Sequence, residues 1–184
     1  MKELSKFLSL ILRHKPEIVG LVLDKNGYVF VSDLVSAVCK VGKPLNREML
    51  EHIVETNDKK RFAFNEDGTK IRASQGHSIG IDLGLNPMEP PCKLYHGTTK
   101  RFVSKIMEEG IVSKSRDFVH LSDNVETATS VGRRHGEPVV LEIDSESMFC
   151  EGYDFYISEN KVWLVKFVPT QFVKPLWHNN KESK

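Results

Sequence analysis

Cationic and imidazole side chains gather at four places in the chain: Arg13-His14, Lys59-Lys60-Arg61, Lys70 with Arg72, and Arg133-Arg134-His135. From Gly68 to Ile81 there is no acidic residue. In that stretch an alternating run carrying Lys70 and Arg72 leads into Ser74-Gln75-Gly76-His77-Ser78, a polar turn containing glycine. Such a turn can offer hydroxyls, backbone N–H groups and an imidazole to a phosphate, and arginine adds a planar two-pronged donor. Each piece alone has a plainer reading. Basic residues in a helix's last turn, such as Arg13 and His14, offset its dipole, and cations on a hairpin's outer face are commonly just solvated. Farther along, His96-Gly97-Thr98-Thr99 is expected to follow a strand and open a helix, where glycine lets a ligand approach the backbone and free N–H groups favour an anion. His120-Leu121-Ser122 reads either as a second polar edge or as ordinary helix capping. No G-x-G-x-x-G follows a strand and no P-loop occurs, so a Rossmann dinucleotide site has no support. Spacing assigns no Ser-His-Asp or paired-carboxylate arrangement.

These side chains need elements to position them. Leu4, Phe7, Leu8 and Ile11 fall at i, i+3, i+4 and i+7, which predicts a helix ending near Pro16. Tyr28 to Val31 reads as a short strand. Ser32 is expected to cap a helix carrying Leu34, Val35, Val38 and Cys39, which Gly42 terminates. Asn46 is the expected N-cap of a third helix, with Leu45 and Leu50 stapling its start. Asn65-Glu66-Asp67-Gly68 separates two alternating runs, a hairpin signal that puts Ile71 on one face and Lys70, Arg72 and Ser74 on the other. A helix, then two helices with a short glycine-containing connection, then a hairpin is the order of a winged helix-turn-helix.

Three prolines within Leu85-Asn86-Pro87-Met88-Glu89-Pro90-Pro91 predict a rigid linker over 85–91, between one lobe at 1–84 and a second at 92–184. In the second lobe, strands are expected at 93–96, 118–121 and 139–143, and a closing hairpin over 155–168 is broken at Glu159-Asn160. Phe102, Val103, Ile106 and Met107 predict a helix closed by Gly110, and Asp123 is expected to cap another carrying Val125, Ala128 and Val131. The second half is thus mixed α+β with few helices.

At 184 residues, with 40% hydrophobic and 28% charged, the chain is a globular protein of one or two domains, and 12 Gly and 8 Pro are too few for a disordered or collagen-like one. Its formal charge of +1 makes it no general magnet for nucleic acid, so any phosphate must be held locally. Cys39, Cys92 and Cys150 are odd in number and lack metal-ligand spacing, which predicts free thiols and no structural zinc. The start carries an acid and no long apolar run, and no window approaches the roughly 18 apolar residues of a membrane helix. The expectation is a cytoplasmic protein without a membrane anchor, and nothing in the pattern demands more than a monomer.

Taken in order, seven motifs resemble the RNA 2'-phosphotransferase family over nearly the whole chain. They are Leu12-Arg13-His14-Lys15-Pro16, Asp58-Lys59-Lys60-Arg61-Phe62, Ile71-Arg72-Ala73-Ser74-Gln75-Gly76-His77-Ser78, Leu94-Tyr95-His96-Gly97-Thr98, Val119-His120-Leu121-Ser122, Val131-Gly132-Arg133-Arg134-His135-Gly136 and Asn160-Lys161-Val162-Trp163-Leu164. The resemblance implies an α+β protein: an N-terminal winged-helix RNA-binding lobe followed by a C-terminal ADP-ribosyltransferase-like mixed α/β lobe that binds NAD. It also implies removal of an internal 2'-phosphate from RNA, with NAD consumed as co-substrate and no metal. The family's catalytic tetrad falls by motif on Arg13, His14, Arg72 and Arg134, the last chosen over Arg133 because the motif sets its arginine second after the glycine. By the same resemblance Ser74, Gln75, Gly76, His77 and Ser78 contact the RNA phosphate, and His96, Gly97, Thr98, His120 and Ser122 line the NAD site. Many of the wider ADP-ribosyltransferases carry a late-strand glutamate where this chain has Val162, with Glu159 in the turn before it. A phosphate acceptor, already anionic, needs no such base. Two other readings stay open: an enzyme that stops at ADP-ribosylation of terminal RNA or DNA phosphates, and a winged-helix regulator that senses NAD without turning it over.

Overall fold

A computed structural model describes residues 1–176; residues 177–184, the end of the expected second lobe, lie outside the described residues. The chain forms two units. One comprises Met1–Leu85 together with Ser115–Asp117 and Ser158–Lys161, and the other comprises Asn86–Lys114, Phe118–Ile157 and, among the described residues, 162–176. Both are mixed α/β, and every strand pair described in them is antiparallel.

In the first unit the apolar stripe of α1 (Lys2–Arg13) turns Leu8, Ile11 and Leu12 fully inward. Helices α2 (Val31–Lys40) and α3 (Arg47–Glu55) add Leu34, Val38, Leu50 and Ile53 to the same core. Asn46 caps α3 as expected, its side chain accepting a hydrogen bond from the Met49 N–H at 2.8 Å, while Leu45 and Leu50 are both buried. A three-stranded sheet ordered β1-β3-β2 closes the unit, built from β1 (Val29–Phe30), β2 (Phe62–Phe64) and β3 (Lys70–Ala73). The Asp-Gly turn forms between β2 and β3: Gly68 stands at φ +69° and donates to Asn65 O, while the Asp67 carboxylate accepts from the Thr69 N–H.

One expected cap moves. α2 begins at Val31, not after Ser32, because the Val31 N–H already donates to Thr69 O at 2.9 Å and the Val31 side chain is buried. The strand hands its last ladder bond straight to the helix start, and the Ser32 hydroxyl turns to Asp33 instead.

The second unit is built on a sheet ordered β11-β7-β4, from β4 (Lys93–Thr99), β7 (Pro138–Asp144) and β11 (Val173–Leu176). A second sheet, β6-β9-β8, joins β6 (Val119–Leu121), β8 (Phe155–Ile157) and β9 (Trp163–Val165), and β5 (Ile111–Val112) pairs with β10 (Phe167–Val168). Helices α4 (Lys100–Glu109), α5 (Val125–Gly132) and α6 (Ser145–Cys150) complete it. Leu94, Leu141, Ile143, Met148 and Phe155 are its fully buried centre. The cap of α5 is Asn124, which accepts from the Thr127 N–H at 2.8 Å, while the expected cap Asp123 accepts from the Asn124 amide. Two adjacent residues could each have capped this helix, and the one directly before its first turn does so.

All three cysteines are free. Among the described residues no helix is long and apolar enough to cross a membrane.

Candidate functional site

The first unit buries two of the expected tetrad arginines. Arg13, the last residue of α1, is 9% exposed, and Arg72, in the middle of β3, is 8% exposed. Burial of a guanidinium is costly unless it is paired, so what surrounds each one matters. Among the described residues Arg13 donates to one carbonyl, Arg61 O at 3.4 Å, and its Nε has no partner. Among the described residues no carboxylate forms an ion pair with it. Burial, then the charges of Arg61 and Arg116, lower its pKa to about 10. Arg13 is therefore a buried cation whose electrostatic demand is unmet, the condition an incoming anion relieves.

Arg72 is held differently. Its Nη1 donates to Asn26 O and Leu83 O, both at 3.4 Å, its guanidinium lies over the Tyr28 ring at 4.6 Å, and its Nη2 pairs with the Glu159 carboxylate. Alternation did set Arg72 opposite Ile71, yet neither face of β3 is left to solvent there.

The polar turn after β3 joins this cluster. The Ser78 N–H donates to Arg13 O at 3.0 Å and the Ser78 hydroxyl lies 2.8 Å from His14 Nδ1. Burial, then the charges of Arg13 and Arg116, push the His14 pKa below its ordinary value, so this imidazole is neutral at neutral pH. His77 is only 3% exposed, its Nε2 has no partner, and its pKa falls to about 4 through burial and then Arg13, Arg72 and His14. The structure thus brings Arg13, His14, Arg72, His77 and Ser78 together. Ser74 is buried, and its hydroxyl donates to Lys60 O at 2.8 Å. Gly76 turns the chain at φ +84°, and Gln75 is half-buried with its Oε1 unpartnered.

Arg134 belongs to the second unit, exposed in the 3-10 turn Arg133–His135 that follows α5. His96, Gly97 and Thr98 lie inside β4 rather than beyond its end, paired in register with Leu141, Val140 and Val139. The reason is packing: a Cβ on Gly97 would stand 1.8 Å from Ala128 O, so α5 lies against the strand at a distance only glycine allows. The Tyr95 N–H and C=O are exchanged with Ser122 at 2.8 Å. Polar groups two residues apart in a strand point the same way, so those of Gly97 face the edge that carries Ser122. His96 Nδ1 donates to His120 O at 3.0 Å, since a carbonyl only accepts. Burial lowers the His96 pKa, which leaves Nε2 as an acceptor on a neutral ring. Thr98 and Thr99 are buried, the Thr99 hydroxyl without a partner at the rim of a cavity of about 400 Å³ lined by Lys100, Arg101, Gly136 and Glu137. Among the described residues no cluster of metal-ligating side chains occurs.

Sequence reasoning missed three features of the first unit: the Tyr28 ring under Arg72, the two carbonyls that hold it, and Glu159. Only the last left a mark, as the lone acid in an otherwise neutral turn before Lys161.

The first unit thus sets two buried arginines, one of them without a carboxylate partner among the described residues, beside a hydroxyl- and imidazole-bearing turn, in a mixed α/β chain. Comparison with known proteins sharpens this. The sequence model of the "RNA 2'-phosphotransferase, Tpt1 / KptA family" matches residues 1–167, and the chain belongs to that family. It is 53% identical over 173 residues to a protein of Fusobacterium nucleatum named "Probable RNA 2'-phosphotransferase", covering 94% of this chain and 97% of that one. A protein of the same name from Flavobacterium johnsoniae is 51% identical over 173 residues, covering 94% and 95%.

Proposed function

We propose that this chain removes an internal 2'-phosphate from RNA with NAD as co-substrate, its first unit acting as a winged-helix RNA-binding lobe and its second as an ADP-ribosyltransferase-like lobe. The observation that carries the reading is Arg13, a buried guanidinium with no carboxylate partner among the described residues, one residue from His14 and bonded through its carbonyl to the Ser78 N–H. A doubly charged phosphate ester meets that demand better than a singly charged diester.

Two steps follow chemically. A 2'-phosphate oxygen of the RNA attacks the anomeric carbon of the nicotinamide ribose; the C–N bond breaks and nicotinamide leaves with the electron pair. The neighbouring ribose O2'' then attacks phosphorus and the bond to the RNA O2' breaks. The proton lost from O2'' ends on the RNA, giving 2'-hydroxyl RNA and ADP-ribose 1'',2''-cyclic phosphate. Arg13 and Arg72 hold the phosphate oxygens and stabilise the charge that builds on them, and Arg134 serves the same reaction by its place in the family motif. A neutral His14, its ring set by Ser78, is suited to accept and return the travelling proton. Ser74, Gln75, Gly76 and His77 support the phosphate through the shape of the turn.

The residues of β4 suit NAD. The Gly97 N–H and C=O, turned to one edge, offer the donor and acceptor that a nicotinamide carboxamide needs, and Thr98, His120 and Ser122 flank them in sequence and pairing. His96 Nε2 adds a neutral acceptor for a ribose hydroxyl. With a phosphate as acceptor, no carboxylate base is required.

The test is nicotinamide release, followed with NAD and a short RNA that either carries one internal 2'-phosphate or lacks it. Release only with the phosphorylated RNA supports the reading, and release from neither overturns it. Turnover that halts at ADP-ribosylated RNA moves the assignment to the one-step enzyme.

A further inference from the structure

We propose that Glu159 is a built-in competitor for the phosphate seat on Arg72, setting how tightly that seat holds phosphate and helping to clear it after reaction. This deepens the function proposed above and rests on it.

Three neutral contacts already fix the Arg72 guanidinium: Asn26 O, Leu83 O and the Tyr28 ring. These orient the group without answering its charge. Among the described residues the one anion paired with it is Glu159, which takes Nη2, while Nε has no partner but is buried out of reach of solvent. A phosphate oxygen arriving from solvent meets Arg72 at Nη2, the position Glu159 holds.

The carboxylate is delivered by a formed turn. Asn160 Nδ2 donates to Lys59 O at 2.9 Å, the Ser158 hydroxyl lies 2.8 Å from Asn160 Oδ1, and the Lys161 N–H closes on Ser158 O at 2.9 Å. Lys161 stands at φ +62°, a conformation a non-glycine residue takes only where its surroundings impose it. The pair is also asymmetric. The Arg72 side chain is 10% exposed and that of Glu159 39%, so the carboxylate can swing into water while the guanidinium stays in place. A fully buried pair would resist such opening, because the stranded charge would have nowhere to go.

Glu159 therefore neutralises Arg72 while the seat lacks phosphate, yields to a dianionic phosphate, and returns as product departs. A carboxylate of purely structural or general electrostatic effect would weaken every RNA alike. A competitor for the seat weakens only RNA that puts a phosphate there.

The full-length protein and its Glu159→Gln and Glu159→Ala variants are compared by fluorescence anisotropy with two RNAs identical but for one internal 2'-phosphate, and with inorganic phosphate as a competing probe. Far-UV circular dichroism reports folding. Glutamine keeps the acceptor oxygen and removes the charge, so the seat stays lined. The expected result is tightening of about tenfold, or about 1.4 kcal/mol, for the phosphorylated RNA. Inorganic phosphate should gain similarly, and the unphosphorylated RNA should change less than about twofold, within the range of a screened surface charge. Equal tightening of both RNAs, or unchanged affinity in both folded variants, overturns the proposal. Should the parent protein neither distinguish the two RNAs nor release nicotinamide, the functional reading itself falls. Retained activity in the parent with indifferent variants removes the role of Glu159 alone.

Discussion

Acid should loosen the first unit through His77. This imidazole is 3% exposed, its Nε2 has no partner, and burial with the charges of Arg13, Arg72 and His14 lowers its pKa to about 4. In the unfolded chain it titrates near 6.5. The folded state thus binds the proton less readily, and the stability held by the neutral ring is fully present above about pH 6.5 and lost as pH falls toward about 4. At about 1.4 kcal/mol per unit the whole effect is about 3 kcal/mol, of which about 2 is lost between pH 7 and pH 5. His14 shifts in the same direction, so a variant is needed to isolate His77. His77→Leu removes the titrating group and the orphaned nitrogen while keeping similar volume and the main-chain bond from the Asp117 N–H to His77 O. Hydrogen exchange of amides in α1 and β3, corrected for the intrinsic pH dependence of exchange, reads the opening free energy where it matters. The parent should lose about 2 kcal/mol more than His77→Leu between pH 7 and pH 5, and the two should lie within about 1 kcal/mol at pH 7. Equal pH slopes in parent and variant would refute the reasoning.

Four further outcomes are expected from the packing and the site. Gly97→Ala sets a Cβ 1.8 Å from Ala128 O, a backbone atom that cannot swing aside, and should cost about 3 kcal/mol or more in thermal unfolding of the second unit. Asn46→Ala removes the bond to the Met49 N–H and should cost about 1 kcal/mol by urea unfolding, with Asn46→Asp close to parental. Arg72→Ala and Arg134→Ala should each lower the rate of 2'-phosphate removal by about a hundredfold or more with circular dichroism unchanged. Near-parental turnover in both would remove those residues from the reaction. Saturating chelator should leave turnover unchanged, and abolition of activity would contradict a reaction that needs no metal.

Local chemistry made much of the first unit legible. The stripe of α1, the Asn46 cap and the Asp-Gly turn each depend on residues within a few positions of one another, and each forms as the residue types dictate. Where two neighbours could serve, reading was less secure. Ser32 and Asp123 are good caps in isolation, but the Val31 N–H is taken by Thr69 O, and Asn124 stands closer to the first turn of α5. The strand expected at 93–96 runs on through Gly97 and Thr98, an extension that was not legible because the approach of α5 that requires Gly97 is a tertiary fact. Short elements such as β5, β10 and α6 carry too few residues to show a period. Candidate site residues could be listed by type, but their environments could not: burial of Arg72 under Tyr28, and its partner Glu159 at a separation of 87 residues, appear only once the chain is folded.

The two-step reaction is read out by mass spectrometry of both the RNA and the nucleotide after incubation with NAD and an RNA bearing one internal 2'-phosphate. The expected products are 2'-hydroxyl RNA lacking the phosphate, nicotinamide, and ADP-ribose 1'',2''-cyclic phosphate in equal amounts. Unchanged RNA and NAD, or loss of the phosphate as inorganic phosphate with NAD intact, would contradict that reaction.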